Sequence, residues 1–151
     1  MNFRLMTKDD LFWFVGVRNQ VFEMLHNPQF FTLDQAISWF PNSQTKYWVI
    51  EKGNQNLGYF RVNSISNEKV LIGADIDPQF QGQGFGFSAY IEFVIQVLSP
   101  LGVQYLELRV LKKNDKAMGL YKKLGFEITE ETEIDFLMTN SVQKMTRISR
   151  I

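Results

Sequence analysis

The sequence predicts one α/β (α+β) domain, and three observations predict it. Runs that alternate apolar with polar residues mark strands, and apolar stripes at helical spacing mark helices among them. The pairs Gly53-Asn54 and Asn140-Ser141 read as hairpin turns, which join strands antiparallel. No linker, repeat or low-complexity stretch interrupts the pattern, so one domain is expected over residues 1–151. A chain of 151 residues buries about two thirds of its unfolded surface around one core.

In chain order, residues 2–6 read as a first strand. Thr7 with Asp10 three residues later forms a capping-box pattern that opens a helix to about Met24. Thr32 with Gln35 repeats the pattern for a second helix that stops before Pro41. Residues 46–51 and 57–64 are β-rich runs flanking Gly53-Asn54, and residues 69–76 supply the next strand. Phe87, Tyr90, Ile91, Val94 and Leu98 make an apolar helical stripe ended by Pro100 and Gly102. Residues 103–110 alternate as a strand, with Tyr105, Glu107 and Arg109 opposed to Leu106, Leu108 and Val110. Asn114 reads as an N-cap, and Gly125-Phe126 as a left-handed C-cap with its hydrophobic contact. Residues 126–139 and 142–149 read as a closing hairpin that turns at Asn140-Ser141.

Chemistry begins in the segment Asp77-Pro78-Gln79-Phe80-Gln81-Gly82-Gln83-Gly84-Phe85-Gly86-Phe87, between a strand and a helix. Alternate glycines let bare backbone approach an anion, and the helix that follows adds its positive N-terminal end. A Walker loop needs Gly-Lys followed by Ser or Thr, but Gly86 is followed by Phe87. The dinucleotide fingerprint needs glycine at 87 or 89, where Phe87 and Ala89 stand, although Glu107 lies near the distance of a ribose-binding acid.

The spacing Gln81-x-x-Gly84-x-Gly86 resembles the Q/R-x-x-G-x-G/A loop of the GNAT superfamily of acyl-CoA-dependent N-acetyltransferases. A second block, Asn114-Asp115-Lys116-Ala117-Met118-Gly119-Leu120-Tyr121-Lys122-Lys123-Leu124-Gly125-Phe126, resembles the N-x-x-A-x-x-x-Y-x-K-x-G-F block of the same superfamily. The resemblance covers residues 46–148, and the N-terminal third is similar in layout. It implies a GNAT fold: a mixed, mostly antiparallel twisted sheet of six to seven strands flanked by about four helices. It also implies acetyl-CoA as acyl donor, held by Gln81, Gly82, Gln83, Gly84, Phe85 and Gly86, with Asn114, Ala117 and Tyr121 beside it. Pantetheine would pair with free backbone at Ile76 and Asp77 where two central strands splay. Gln81 stands where many relatives carry Arg, which leaves more of the phosphate binding to the loop amides and to Lys112, Lys113 or Lys116.

In relatives the Tyr of the second block faces the CoA sulfur, which makes Tyr121 the expected proton donor. A phenol with a reference pKa of about 10 stays protonated at neutral pH. The base is open. Relatives often place a Glu on the strand before the loop, where this chain has Leu71, so Asp75, Glu107, Glu68 and solvent are the candidates, with Asp75 nearest the centre of the sheet. The acceptor cleft is implied to lie between the N-terminal helices and the final hairpin, with Arg18, Asn19, His26 and Trp39 as substrate residues. A plain structural role for Trp39, Phe40 and His26 is the competing reading. The layout is similar to branches that act on nucleotide-linked amino sugars and to those that act on ribosomal-protein N-termini. The expected reaction is acetyl transfer to a primary amine of a small molecule or peptide, with a non-catalytic CoA-binding module as the alternative.

Composition narrows the partners. The chain is 45% hydrophobic with Phe 14 and Trp 3, too apolar for disorder, and no apolar run approaches the ~18 residues that span a bilayer. The start, Met1-Asn2-Phe3-Arg4-Leu5, is amphipathic and unlike a signal peptide, so a cytoplasmic location is expected. Cys 0 excludes disulfides, a thiol nucleophile and cysteine metal ligands, and no metal is expected. A formal net charge of +0 with scattered Lys and Arg argues against nucleic acid. The oligomeric state is open, with a homodimer among the options.

Overall fold

The computed structural model describes residues 1–150; Ile151, the end of the expected domain, lies outside the described residues. A seven-stranded sheet has the order β1-β2-β3-β4-β5-β7-β6, formed by β1 (Asn2–Leu5), β2 (Lys46–Lys52), β3 (Gln55–Ser64), β4 (Lys69–Ile76), β5 (Tyr105–Leu111), β6 (Glu127–Glu131) and β7 (Asp135–Ser141). Every neighbouring pair is antiparallel except β4 and β5. The helices are α1 (Leu11–Val21), α2 (Leu33–Trp39), α3 (Phe85–Phe93, continued by a π-helical stretch Val94–Leu98), α4 (Asp115–Lys123) and α5 (Val142–Ile148). The mixed, mostly antiparallel sheet is the one expected, and the helices number one more than expected.

Two cores sit on the two faces of the sheet. On one face Phe60 of β3 stacks on Phe93 of α3 with ring centroids 4.2 Å apart, and α4 and α5 add Tyr121, Leu124, Val142 and Met145. On the other face Phe14 of α1 packs on Tyr59 and Tyr47 at 4.8 and 5.2 Å and stacks on Trp39 at 5.9 Å. Helices α1 and α2 cover the β2–β3 side of that face and leave the face of β4, β5 and β7 open, where Arg109 keeps 41% of its side chain exposed.

Local chemistry sets most element ends as the sequence predicts. Thr32 caps α2, accepting from the Gln35 N–H, and Asn114 caps α4, accepting from the Ala117 N–H. Gly125, at φ +91°, closes α4 with Phe126 N–H donating to the Tyr121 carbonyl. The closing hairpin is corrected: β6 and β7 turn at Thr132-Glu133-Ile134, and residues 142–148 form α5. Ser141 is the N-cap of that helix, accepting from Lys144 N–H, while Val142 and Met145, three apart, bury on one side. The true turn is held by Thr132, whose hydroxyl oxygen accepts from the N–H groups of Ile134 and Asp135. No helix among the described residues is long and apolar enough to cross a membrane.

At the edge of the sheet Arg4 holds Asp10 through a paired contact of 2.7 and 2.8 Å and reaches Glu51 at 3.0 Å. The Arg4 guanidinium keeps the buried Asp10 carboxyl below the usual carboxylate range, helped by the Thr7 N–H. A depressed carboxylate stabilises the fold above its unfolded pKa, 3.8, and that contribution is lost as pH falls through the lower folded value. Asp10→Asn is therefore expected to lose about 1 to 2 kcal/mol at pH 7, with Arg4 half exposed, and less at pH 3, below the unfolded value. Urea denaturation of both chains at the two pH values checks this.

Candidate active site

The parallel ladder between β4 and β5 is short. It joins Lys69 with Tyr105, Val70 with Leu106 and Leu71 with Glu107, and stops there. Beyond that point β4 stays paired with β3 as far as Ile76, and β5 stays paired with β7 as far as Leu111, so the two strands part. Asp77 N–H bonds the Leu57 carbonyl at 2.8 Å. Antiparallel alternation therefore turns the odd residues of β4 toward β3 and the main-chain groups of Ala74 and Ile76 toward the gap.

The free backbone expected at Asp77 is not found there. Asp77 has both backbone groups engaged, its N–H with Leu57 and its carbonyl with Phe80 N–H, and its buried carboxylate accepts from the Gln79 N–H and side-chain amide. Asp77 is thus a structural cap of the Pro78–Phe80 turn, and Ala74 replaces it as the second free stretch of strand edge. The Ile76 carbonyl accepts from Gln81 Nε2 at 2.9 Å, so Gln81 folds back on β4.

The glycine loop opens α3 in the manner expected. Gly82 and Gly84 take φ of +78° and +81°, a region closed to most side chains. None of the N–H groups of residues 82–87 donates to a protein acceptor among the described residues. Gly86 lies against α4, where a Cβ would come within 3.3 Å of Leu120. Gln83 reaches the Gln79 carbonyl, and Phe85 carries Lys52 Nζ over its ring at 4.9 Å. Lys112 is engaged by Glu131 at 2.8 Å.

Tyr121 projects from α4 at the gap. It is 9% exposed, packs edge-on against Tyr90 and Phe126, and accepts a bond of 3.4 Å from the Tyr90 hydroxyl. Burial raises its pKa, with the Tyr90 bond acting in the opposite direction. A cleft of about 660 Å³ runs from Tyr121 and Asn114 through the gap to the open face of the sheet, under the segment that joins α1 to α2. Asp75 lines it, with its carboxylate accepting from Arg61 Nη1 at 3.1 Å; Leu71 lines it too, an apolar side chain where a base was sought. Glu107 is paired with Lys69 at 2.7 Å.

The expected substrate residues separate. Asn19 is a backbone clamp, exchanging bonds of 2.9 and 2.8 Å with Phe31. Arg18 reaches the cleft, but its guanidinium donates to the Gln29 and Asn27 carbonyls and lies over Phe31 at 5.1 Å, bracing the connector. Trp39 belongs to the aromatic core as well as to the cleft wall. His26 lines the cleft and places Nε2 2.9 Å from Asp135 on β7, tying the connector across to the far strand. Bonds from the Thr132 hydroxyl and His26, with the Arg109 charge, hold the Asp135 carboxyl below the ordinary range.

The chain matches the model of the acetyltransferase (GNAT) domain over residues 1–127. It belongs to the GNAT acetyltransferase family. Among curated relatives, this GNAT chain is 26% identical over 115 residues to the peptidyl-lysine N-acetyltransferase YjaB of Salmonella typhimurium, covering 76% of this chain and 72% of that one. It is 36% identical over 75 residues to the ribosomal protein bS18-alanine N-acetyltransferase of Haemophilus influenzae, covering 50% of each. The chain spans about half the length of several curated relatives it matches, 56% for one from Bacillus subtilis. The fold is that of the Vibrio cholerae spermidine N-acetyltransferase solved with CoA and spermine, with TM-score 0.83, 18% identity, and 95% of this chain and 96% of that one covered.

Three residues of this GNAT site were not foreseen. Arg61 lies flat on Gly73, its register partner on β4, where a Cβ would fall within 3 Å of three guanidinium atoms. Arg109 stands on β5 across the gap. A charged residue in phase with buried Tyr59, and a glycine inside a strand, were the available signals. Gly73→Ala should push the Arg61 guanidinium off Gly73, disturbing its contact with Asp75, and destabilise by about 1 kcal/mol. Gly58→Ala would drive its Cβ into the Asp75 carbonyl and Ile76 Cα, and should destabilise by about 2 kcal/mol or more. Thermal unfolding of the two variants decides whether backbone or side-chain approach limits the β3–β4 seam.

Proposed function

We propose that this chain is an acyl-CoA-dependent N-acetyltransferase that transfers the acetyl group of acetyl-CoA directly to the primary amine of a small molecule or peptide. One observation carries the reading: β4 and β5 part beyond Leu71 and Glu107, Ala74 and Tyr121 line the cleft at that gap, and the loop that follows β4 offers amides at residues 82–87 that donate to no acceptor among the described residues. The donor set fits a diphosphate joined to an amide-bearing arm, because main-chain N–H groups at a helix start favour an anion and a free strand edge pairs with amides. When bound, acetyl-CoA supplies a thioester whose C–S bond breaks as the acceptor forms an N–C bond, the amine losing a proton and the departing thiolate taking one.

The residues divide that work. The Gly82, Gln83, Gly84, Phe85 and Gly86 amides hold the diphosphate, with Gln81 and Asn114 at its edges and Ala117 packing α4 beneath. Tyr121 accepts from Tyr90, which leaves its own proton free to be donated into the cleft. Asp75 is the carboxylate on the acceptor side; held by Arg61, it orients the ammonium and offers one route for its proton, with the open cleft giving water the other. The family assignment and the absence of a membrane-crossing helix among the described residues support a cytoplasmic setting.

Tyr121→Phe is expected to lower kcat by about 10²-fold or more while leaving acetyl-CoA affinity within a factor of about three. Calorimetry with acetyl-CoA and a thiol-release assay on an amine panel separate the two readouts. Because burial raises the Tyr121 phenol above its ordinary value, the rate of the unsubstituted chain should show no loss from this group at neutral pH, and any loss should set in at higher pH than for a free phenol. Binding without thiol release from any amine would favour a non-catalytic CoA-binding module, the reading that Leu71 in the cleft wall invites.

A further inference from the structure

The charges along the cleft are few and unequal. Arg18, Arg61 and Arg109 bring three guanidiniums, Asp75 is the one carboxylate among the lining residues, and His26 is tied to Asp135. Counting Asp135 leaves the positive groups still in excess. A polyamine carries several ammonium groups and would meet that excess as repulsion, so the cleft differs in charge from what its fold neighbour's spermine requires.

Two of the guanidiniums share one row of the sheet. Arg61 on β3 is the register partner of Gly73 on β4, and continuing the parallel register two residues beyond Leu71 and Glu107 brings Arg109 of β5 into line with Gly73. All three lie on the open face, in phase with Asp75. Gly73 carries no side chain, which lets the Arg61 guanidinium lie over the β4 backbone on the side that faces the gap and Arg109. Arg61 is fixed by Asp75 at 3.1 Å, whereas Arg109 has one long contact, 3.4 Å to Asp135, and keeps 41% of its side chain exposed. Its remaining N–H donors are unengaged by other described residues, in the planar fork that suits a carboxylate or a phosphate.

We infer that the acceptor is an amine that also bears a negatively charged group, with Arg109 and Arg61 receiving that group while Asp75 meets the ammonium. The inference rests on the acetyltransferase reading above. The anion is a carboxylate, as in an amino acid, or a phosphate, as in a phosphorylated amino sugar; both present the oxygens that a guanidinium fork binds.

The test pairs each charged acceptor with its uncharged twin: α-amino acids with their methyl esters, amino-sugar phosphates with the free amino sugars, and spermidine as the polycation. Thiol release should show kcat/KM at least tenfold higher for the charged member of one series, and the series identifies carboxylate or phosphate. Spermidine should be the poorest substrate. Arg109→Gln should raise KM for that charged acceptor ~10- to 100-fold with kcat little changed, leave its uncharged twin unaffected, and leave acetyl-CoA binding by calorimetry as before. Equal use of both twins, preference for spermidine, or retention of the preference in Arg109→Gln would each overturn the inference alone, whereas a chain that binds acetyl-CoA and uses no acceptor would overturn the acetyltransferase reading with it. A chain that binds no acetyl-CoA would overturn the acetyltransferase reading with it.

Discussion

The site depends on a broken pairing. A sheet made of antiparallel neighbours contains one parallel contact, and that contact lasts only from Lys69 and Tyr105 to Leu71 and Glu107. Each strand then follows its outer partner, β4 with β3 and β5 with β7, through ladders that run seven residue pairs on either side. Those antiparallel pairs keep Val70, Ile72, Leu106, Leu108, Val110 and Met138 packed in the core on the α3–α4 face. The opening connects the two faces of the sheet, and Tyr121, rooted in the core behind it, borders a cleft that opens in front.

Much of this was legible because it is local. Gly53-Asn54 sits between β2 and β3, Asn114 caps α4, and Gly82 and Gly84 take the left-handed conformations that alternate glycines announce. The C-terminal hairpin misled because Asn and Ser signal turns and helix caps alike. Asn140 is buried with its side-chain amide on the Leu124 carbonyl, and Ser141 starts α5. The real turn at Thr132 lacks glycine, asparagine or proline and is held by the Thr132 hydroxyl together with the bond from Thr132 N–H to the Asp135 carbonyl.

What sequence did not disclose is what register creates. Arg61 and Gly73 stand twelve positions apart in the chain, and only the β3–β4 pairing lays the guanidinium over the bare Cα. The resemblance in layout implies Asn19 and Arg18 as substrate residues. In the fold they satisfy carbonyl and N–H groups of an irregular connector that has no ladder of its own, the ordinary fate of polar side chains beside a loop.

The two buried tyrosines show how the fold prepares a donor without a charged partner. Tyr90 is 2% exposed on α3 and directs its hydroxyl to Tyr121 on α4. Burial raises the pKa of both phenols, so neither ionises near neutrality. Because Tyr90 donates, the Tyr121 oxygen is an acceptor on its buried side and keeps its proton for the cleft. A carboxylate in place of Tyr90 would take that proton; a phenylalanine would leave the Tyr121 hydroxyl free to turn. A second tyrosine fixes the direction of donation while adding no charge to a cleft already occupied by arginines.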